Sequence, residues 1–252
     1  MNENEAVPPF SLVKPYDTMA LRLFPYSEIA AYLHSHIQSL CPQAQTLFDI
    51  ACGSGNLSLP LAQLGYQVTG LDQADAMLAA ARKKATAAGQ TIEFIRHDIQ
   101  HLFPVNNAAA ITCFYGGLNF LRSAEAVQQA IQAVYQALLP GGLFLFDQFS
   151  EDRMRIIFSG LKAADFDDFY VITQSNCNQA GYISHQVTYF LQEADGRYRR
   201  QEELQLMRIH PFTQLQQWLI TAGFKLLTIE PFSSQISVPA LQDDFLFVGQ
   251  KT

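Results

Sequence analysis

Residues 48–62 read FDIACGSGNLSLPLA, an apolar run, a Gly-x-Gly turn and the start of a helical period. A buried strand that delivers such a turn straight into a helix opens a βα unit. Gly53 and Gly55 lack Cβ atoms, so the turn can take backbone angles closed to other residues and let a ligand lie against the main chain. The helix start beyond them offers free N–H groups. Any tight βα turn uses glycine in this way, so the turn alone does not identify a ligand.

Working outward, the same alternation repeats. TLFDIAC (46–52), YQVTGLD (66–72), TIEFIRHD (91–98), AAAITCFYGG (108–117) and LFLFDQF (143–149) read as strands. GNLSLPLAQLG (55–65), ADAMLAAARKKATAAG (74–89) and SAEAVQQAIQAVYQALL (123–139) read as helices, the last with Val127, Ile131, Val134 and Leu138 on one face and Pro140–Gly141 as its stop. Strands alternating with helices predict a parallel sheet. From Phe166 to Ile209 the character changes to successive β segments with one wet face, broken near Asn176–Gly181 and Asp195–Gly196. A helix, TQLQQWLITAG, and two strands, FKLLTIEPF and DFLFVGQ, complete the chain. The expected organisation is an N-terminal helical segment over 1–45 and an α/β core over 46–160 and 210–252. An antiparallel β insertion covers 161–209.

The 252 residues are 49% hydrophobic and 15% charged, which predicts a globular chain with a sizeable core. The net charge of −7 repels a phosphate backbone and argues against DNA. Arg197, Arg199 and Arg200 read as a hairpin with a solvated face. Four scattered cysteines without a C-x-x-C pair indicate neither a metal site nor a disulfide framework, and suit the cytoplasm. The acidic N-terminus MNENEAVPPF has no apolar core segment, and no run long enough for a membrane span occurs.

Two acids give the glycine turn a meaning. Asp72 closes the second strand about 20 residues after the turn, where a carboxylate can accept both hydroxyl hydrogens of an adenosine ribose. It can equally cap the next helix, a role Asp75 also fits. Asp98 ends the third strand beside Ile99, where a carboxylate and a backbone N–H meet the edge of adenine; it can also be an ordinary loop acid.

With these features in order at three successive strand ends, the sequence resembles the class I S-adenosylmethionine-dependent methyltransferases. The matching stretches are FDIACGSGNLSLPLAQLGYQVTGLDQADAMLAAARKKA, FIRHDIQHLF and VYQALLPGGLFLFD. The resemblance implies a Rossmann-like fold: a mostly parallel seven-stranded sheet with helices on both faces, plus the antiparallel insertion. It implies S-adenosylmethionine as cofactor and S-adenosylhomocysteine as product. Gly53 and Gly55 fall to the methionine side of the cofactor and Asp72 to the ribose, with Gln73 and Met77 flanking the adenosine, Asp98 and Ile99 at adenine, and Phe114 at the end of the fourth strand. The segment YDTMA looks like the part that folds over the cofactor, making Tyr16 a contact or else a packed surface tyrosine. Ala51 stands where this family most often has its first glycine, and its methyl predicts a slightly altered approach rather than lost binding. Ser58 replaces the third glycine of a dinucleotide fingerprint, which counts against a nicotinamide cofactor and an oxidoreductase.

A sulfonium methyl is already an activated electrophile, so the expected reaction is in-line displacement by a nitrogen or oxygen of a small-molecule acceptor. Tyr115 and Asn119 in CFYGGLNFL can orient that acceptor; in the alternative reading the glycine pair turns the chain and the aromatics pack. The Asn-Pro-Pro-Tyr segment of base-modifying relatives is missing. The insertion with IHPFTQLQQWLITAGF resembles the lid and helix of small bacterial methyltransferases that act on metabolites. Those relatives often carry an Arg where His210 stands, so His210 is either a proton acceptor or structural. The insertion is expected to cover the methyl-transfer site and set acceptor choice more than cofactor affinity. Otherwise Phe169, Tyr170, Tyr182, Tyr189 and Phe190 form a homodimer surface. RNA or protein as acceptor, and cofactor binding without catalysis, are the alternatives.

Overall fold

The computed structural model describes residues 12–104, 107–232, 236 and 241–252; the first eleven residues of the segment expected over 1–45 lie outside them. Two helices come first, α1 (Val13–Leu23) and α2 (Tyr26–Leu40). They are followed by β1 (Thr46–Ile50), α3 (Ser58–Gln63), β2 (Gln67–Asp72), α4 (Asp75–Ala87), β3 (Glu93–Arg96), β4 (Ala108–Cys113), α5 (Ala124–Ala137) and β5 (Leu138–Phe149). After α6 (Glu151–Ile157) come four strands, β6 (Gly160–Phe166), β7 (Phe169–Cys177), β8 (Tyr182–Gln192) and β9 (Tyr198–Arg208). The chain ends with α7 (Phe212–Ala222), β10 (Phe224–Pro231) and β11 (Asp244–Lys251).

Seven strands form one sheet in the order β10-β11-β5-β4-β1-β2-β3, with only β11 antiparallel to its neighbours. This is the mostly parallel seven-stranded sheet, with helices on both faces, that the resemblance implies. Period-two alternation sorts β1 and β5 between two apolar layers. Leu47, Leu143 and Leu145 pack with Leu33, Ile37 and Leu61 of α2 and α3. Phe48, Ile50, Phe144 and Phe146 pack with Val127, Ile131 and Val134 of α5 and with Leu215 and Leu219 of α7. Leu78, Ala81 and Ala85 of α4, at helical spacing, cover Phe94 of β3.

The second sheet, β6-β7-β8-β9, is antiparallel throughout. Its inner face is the apolar set Phe169, Val171, Val187 and Tyr189, packed against Leu12 and Met19 at α1. Tyr170 and Tyr182 point outward, so the five aromatics named for a dimer surface divide between two faces. Arg197, Arg199 and Arg200 pair with Asp195, Glu193 and Glu202 around the β8–β9 hairpin. No described helix is long and apolar enough to cross a membrane.

Two boundaries differ from expectation. The helix read over 123–139 ends at Ala137, because Leu138 already pairs with Ala108 as the start of β5. The antiparallel region has four strands, since the exposed stretch Gly160–Phe166, without an alternating apolar signal, is drawn into register against β7.

Candidate functional site

The chain runs from β1 outward through β2 to β3, then returns to β4 on the other side of β1. Where strand order reverses, the two connecting turns diverge and leave a crevice beyond the carboxyl ends of the strands. A cavity of about 650 Å³ occupies this place. Its lining brings together Tyr16, Ala51, Gly53, Asp72, Gln73, Asp98, Ile99, Phe114 and Tyr115, nine of the residues singled out from the sequence.

The turn after β1 is left-handed at three points, with φ of 53° at Ala51, 54° at Gly53 and 76° at Gly55. Gly53 faces the cavity, and a Cβ there would sit 3.5 Å from the Tyr16 hydroxyl. Gly55 serves another purpose: a Cβ would meet Ala81 at 3.1 Å and the Phe94 ring at 3.2 Å, so this glycine lets α4 and β3 close on the turn. Neither Gly55 nor the buried Met77 lines the cavity.

Asp72 ties the turn together. Its Oδ2 accepts from the Gly53 N–H at 2.8 Å and its Oδ1 from the Ala74 N–H at 2.9 Å. Burial raises its carboxyl above the ordinary value, opposed by the N–H groups of Ala74 and Gly53. It therefore braces the approach to α4 through the Ala74 N–H without capping the helix, and it lines the cavity as an acid. Asp98 lines the cavity; its Oδ1 accepts from the Gln100 N–H at 3.0 Å and its Oδ2 from Gln100 Nε2 at 3.4 Å, with His101 Nδ1 at 3.9 Å.

Helix α1 lies over the turn, fastened by a cluster with no local sequence signal. Asp17 accepts from Ser54 Oγ and from Asn56 Nδ2, and pairs with Lys84 at 2.7 Å. Lys84 in turn donates to Ser54 Oγ at 2.9 Å and Asn56 Oδ1 at 2.6 Å. Burial lowers the Lys84 ammonium, and Asp17 opposes the shift. At the other end of α1, the Leu12 N–H donates to Glu203 Oε1 of β9 at 2.9 Å. The helix is thus held between the glycine turn and the antiparallel sheet.

The turn after β4 forms the far wall. Tyr115 and Gly116 are both left-handed, with φ of 66° and 68°. Buried Asp147, at the end of β5, holds this strained pair by accepting from the Tyr115 N–H at 2.8 Å and the Gly116 N–H at 3.0 Å. Burial pushes the Asp147 carboxyl up, and Asp244 nearby is raised by burial and by Asp147. The Tyr115 ring packs on Phe24 at 4.5 Å and near Tyr16 at 6.1 Å, and burial pushes its phenol up to about 12.

Two candidates for acceptor chemistry do not reach the cavity. Asn119 is buried, and its Nδ2 donates to the Arg208 carbonyl at 2.9 Å, fastening the 3-10 turn Gly117–Phe120 to β9. His210 is buried beside Trp218 with Nε2 2.8 Å from the Leu121 carbonyl oxygen, and burial lowers its pKa to about 4. Its neutral ring holds the segment that leads into α5.

The lining also includes His97 after β3 and Leu204 and Leu206 of β9. These were not anticipated. Asp147 carried the signal that marked Asp72 and Asp98, an acid closing a strand; Leu204 and Leu206 carried none beyond alternation.

The chain matches the family described as Methyltransferase domain over residues 47–142. It is 30% identical over 230 residues to a protein of Geobacillus sp. (strain WCH70) designated a methyltransferase, covering 90% of this chain and 93% of the relative. A Bacillus subtilis (strain 168) protein of the same designation is 28% identical, with 86% and 88% covered. Among solved structures, an S-adenosylmethionine-dependent methyltransferase from Clostridium acetobutylicum superposes with a TM-score of 0.84 at 18% identity, over 95% of this chain and 97% of that one. An amino pentose methyltransferase from Micromonospora echinaspora gives 0.76 at 21%, again over 95% and 97%.

Proposed function

The chain belongs to the class I S-adenosylmethionine-dependent methyltransferases, and on that premise we propose that it methylates a small-molecule acceptor at nitrogen or oxygen. The observation that carries this reading is the cavity of about 650 Å³. It runs from the glycine turn to Tyr115 and is walled on its outer side by Leu204 and Leu206. Small ligands favour such enclosed, largely apolar clefts with a few polar groups.

The lining suits the parts of the cofactor. Gly53, with Tyr16 across from it, leaves a cradle that a side chain would fill, suited to the methionine portion. Asp72 beside Gln73 suits the ribose hydroxyls; Asp98, Ile99 and Phe114 suit adenine. Bound there, S-adenosylmethionine supplies a methyl group that needs no further activation. The protein residues orient and dry the site: Tyr16, Ile99 and Phe114 exclude water, and Asp72 fixes the turn that carries Gly53. Tyr115 keeps its proton at neutral pH and so acts as a donor to the acceptor, not as a base. With His210 turned away, no described residue at this end is a ready general base, which favours a weakly basic amine nitrogen over a hydroxyl. Residues 161–209 act as the acceptor-side cap. The four unpaired cysteines suit a cytoplasmic enzyme.

The test is to incubate the protein with methyl-labelled S-adenosylmethionine and a small-molecule extract, with tRNA and protein pools in parallel. Label should enter the small-molecule fraction, and Asp72→Ala should abolish transfer while weakening S-adenosylhomocysteine tenfold or more. Label confined to RNA or protein would refute the proposed acceptor class.

A further inference from the structure

A second, smaller cavity of about 290 Å³ lies across one end of β7, β8 and β9, lined by Arg122, Asn176, Asn178, Tyr182, Ser184 and Leu206 among others. Arg122 and Leu206 also line the larger cavity, so the two adjoin across these side chains. The chemistry of the smaller one is one-sided. No carboxylate is among its described lining residues. Asn178 Oδ1 already accepts from the Tyr182 N–H at 3.0 Å, which leaves its amide N–H groups as donors; Tyr182 and Ser184 bring hydroxyls.

The arginines here behave unlike those of the nearby hairpin. Arg197, Arg199 and Arg200 each have a carboxylate partner, whereas Arg122 forms no ion pair among the described residues, in a chain of net charge −7. Arg208 stands beside it, with its guanidinium 4.8 Å from the centre of the Tyr182 ring and Nη1 donating to the Arg122 carbonyl at 3.2 Å. The exposed Glu125, in the first turn of α5, interacts with Arg208. A guanidinium presents its donors in a planar fork that matches a carboxylate or phosphate, and a lone one at the mouth of a donor-rich trough is placed to bind such a group.

We propose that this trough receives an oxyanion, a carboxylate or phosphate group carried by the methyl acceptor, with Arg122 as the residue that binds it. Arg208 is a positioning residue that holds the Arg122 backbone and the Tyr182 ring. The inference rests on the larger cavity being the methyl-transfer site: an acceptor anchored at Arg122 would extend its reacting end along Leu204 and Leu206 toward Tyr115.

The experiment uses the whole protein saturated with S-adenosylhomocysteine at low ionic strength, titrated by calorimetry with pyrophosphate, citrate and glucose. One equivalent of pyrophosphate or citrate should bind saturably and glucose should not. The tighter of the two anions tells phosphate from carboxylate. Arg122→Met should weaken the anion tenfold or more, and Arg122→Lys should weaken it less, because a point charge replaces a fork. S-adenosylhomocysteine affinity in both variants should stay within twofold of the parent, which also shows that they fold. Anion binding equal in Arg122→Met and the parent, or no anion binding by a protein that binds S-adenosylhomocysteine normally, would overturn the inference. A parent protein that fails to bind S-adenosylhomocysteine would instead overturn the methyltransferase reading beneath it.

Discussion

Ala51 shows how one methyl group can be weighed. It holds a φ of 53° at the mouth of the cavity, a conformation that costs a non-glycine residue about 1–2 kcal/mol. Glycine there would relieve the strain but enlarge the unfolded ensemble by about 0.4–1 kcal/mol. The first effect wins, so Ala51→Gly should raise unfolding free energy by up to about 1 kcal/mol in urea titrations, with S-adenosylhomocysteine affinity equal or better. A destabilised variant would show that the Ala51 methyl packs usefully. His210 admits a pH test. Its unfolded pKa is about 6.5 and burial brings the folded value to about 4, so between these limits the unfolded chain binds the extra proton. The stability it contributes is complete above about pH 6.5 and falls as the solution is acidified, by about 2 kcal/mol at about pH 5. Asp49 and Asp147, raised by burial, run the opposite way, so the measurable quantity is the difference between parent and His210→Gln. Glutamine can still donate to the Leu121 carbonyl, and the variant should lose less of its stability than the parent on acidification. It should also keep most of its methyl transfer. A drop in turnover of a hundredfold or more without loss of stability would restore His210 as a base.

At the scale of elements, α1 is the piece whose role the sequence suggested and whose attachment it hid. The YDTMA segment pointed to Tyr16, and Tyr16 does line the cavity. The helix is fastened through Asp17, whose partners Ser54, Asn56 and Lys84 lie 37 to 67 residues away in the chain. Hydrogen bonds to a charged group are worth about 1.5–3 kcal/mol each when buried, and somewhat less at this partly buried site. Asp17→Asn should therefore speed S-adenosylhomocysteine dissociation about tenfold in stopped-flow traces and raise amide exchange across Val13–Leu23. Unchanged exchange in that helix would show that Glu203 and the apolar contacts suffice to hold it. What was legible follows from range. β1 to β5 and their helices announce themselves through local alternation and glycine stops, and Asp72 and Asp98 through their places at strand ends. β6 was not legible as a strand, because its exposed residues carry no alternation and order only against β7. Nor were the homes of Asn119 and His210, whose partners Arg208 and Leu121 lie 89 residues away.

Across the whole molecule the two sheets share one interior, which bears on whether the antiparallel sheet acts independently. Ile183 and Met207 of the antiparallel sheet fall in the same apolar cluster as Leu47, Leu145, Leu33 and Ile37 of the α/β core. Leu12 and Met19 add a second seam, joining the α1 region to Phe169, Val171, Val187 and Tyr189. The sequence leads one to expect that the insertion sets acceptor choice more than cofactor affinity. The seam through α1 argues for coupling instead, because the helix that carries Tyr16 over Gly53 rests on the antiparallel sheet at its other end. Shared cores unfold cooperatively, so calorimetry of the free protein should show one transition with equal calorimetric and van't Hoff enthalpies. S-adenosylhomocysteine at a hundred times its dissociation constant adds about 2.7 kcal/mol to the folded state. For a chain of this size each kcal/mol moves the midpoint by about 2–4 °C, so the entire transition should shift upward by about 5–10 °C. NADH at the same concentration should leave it in place. Two resolved transitions, with only the upper one responding to S-adenosylhomocysteine, would show that the antiparallel sheet melts alone and that α1 transmits nothing between that sheet and the cofactor.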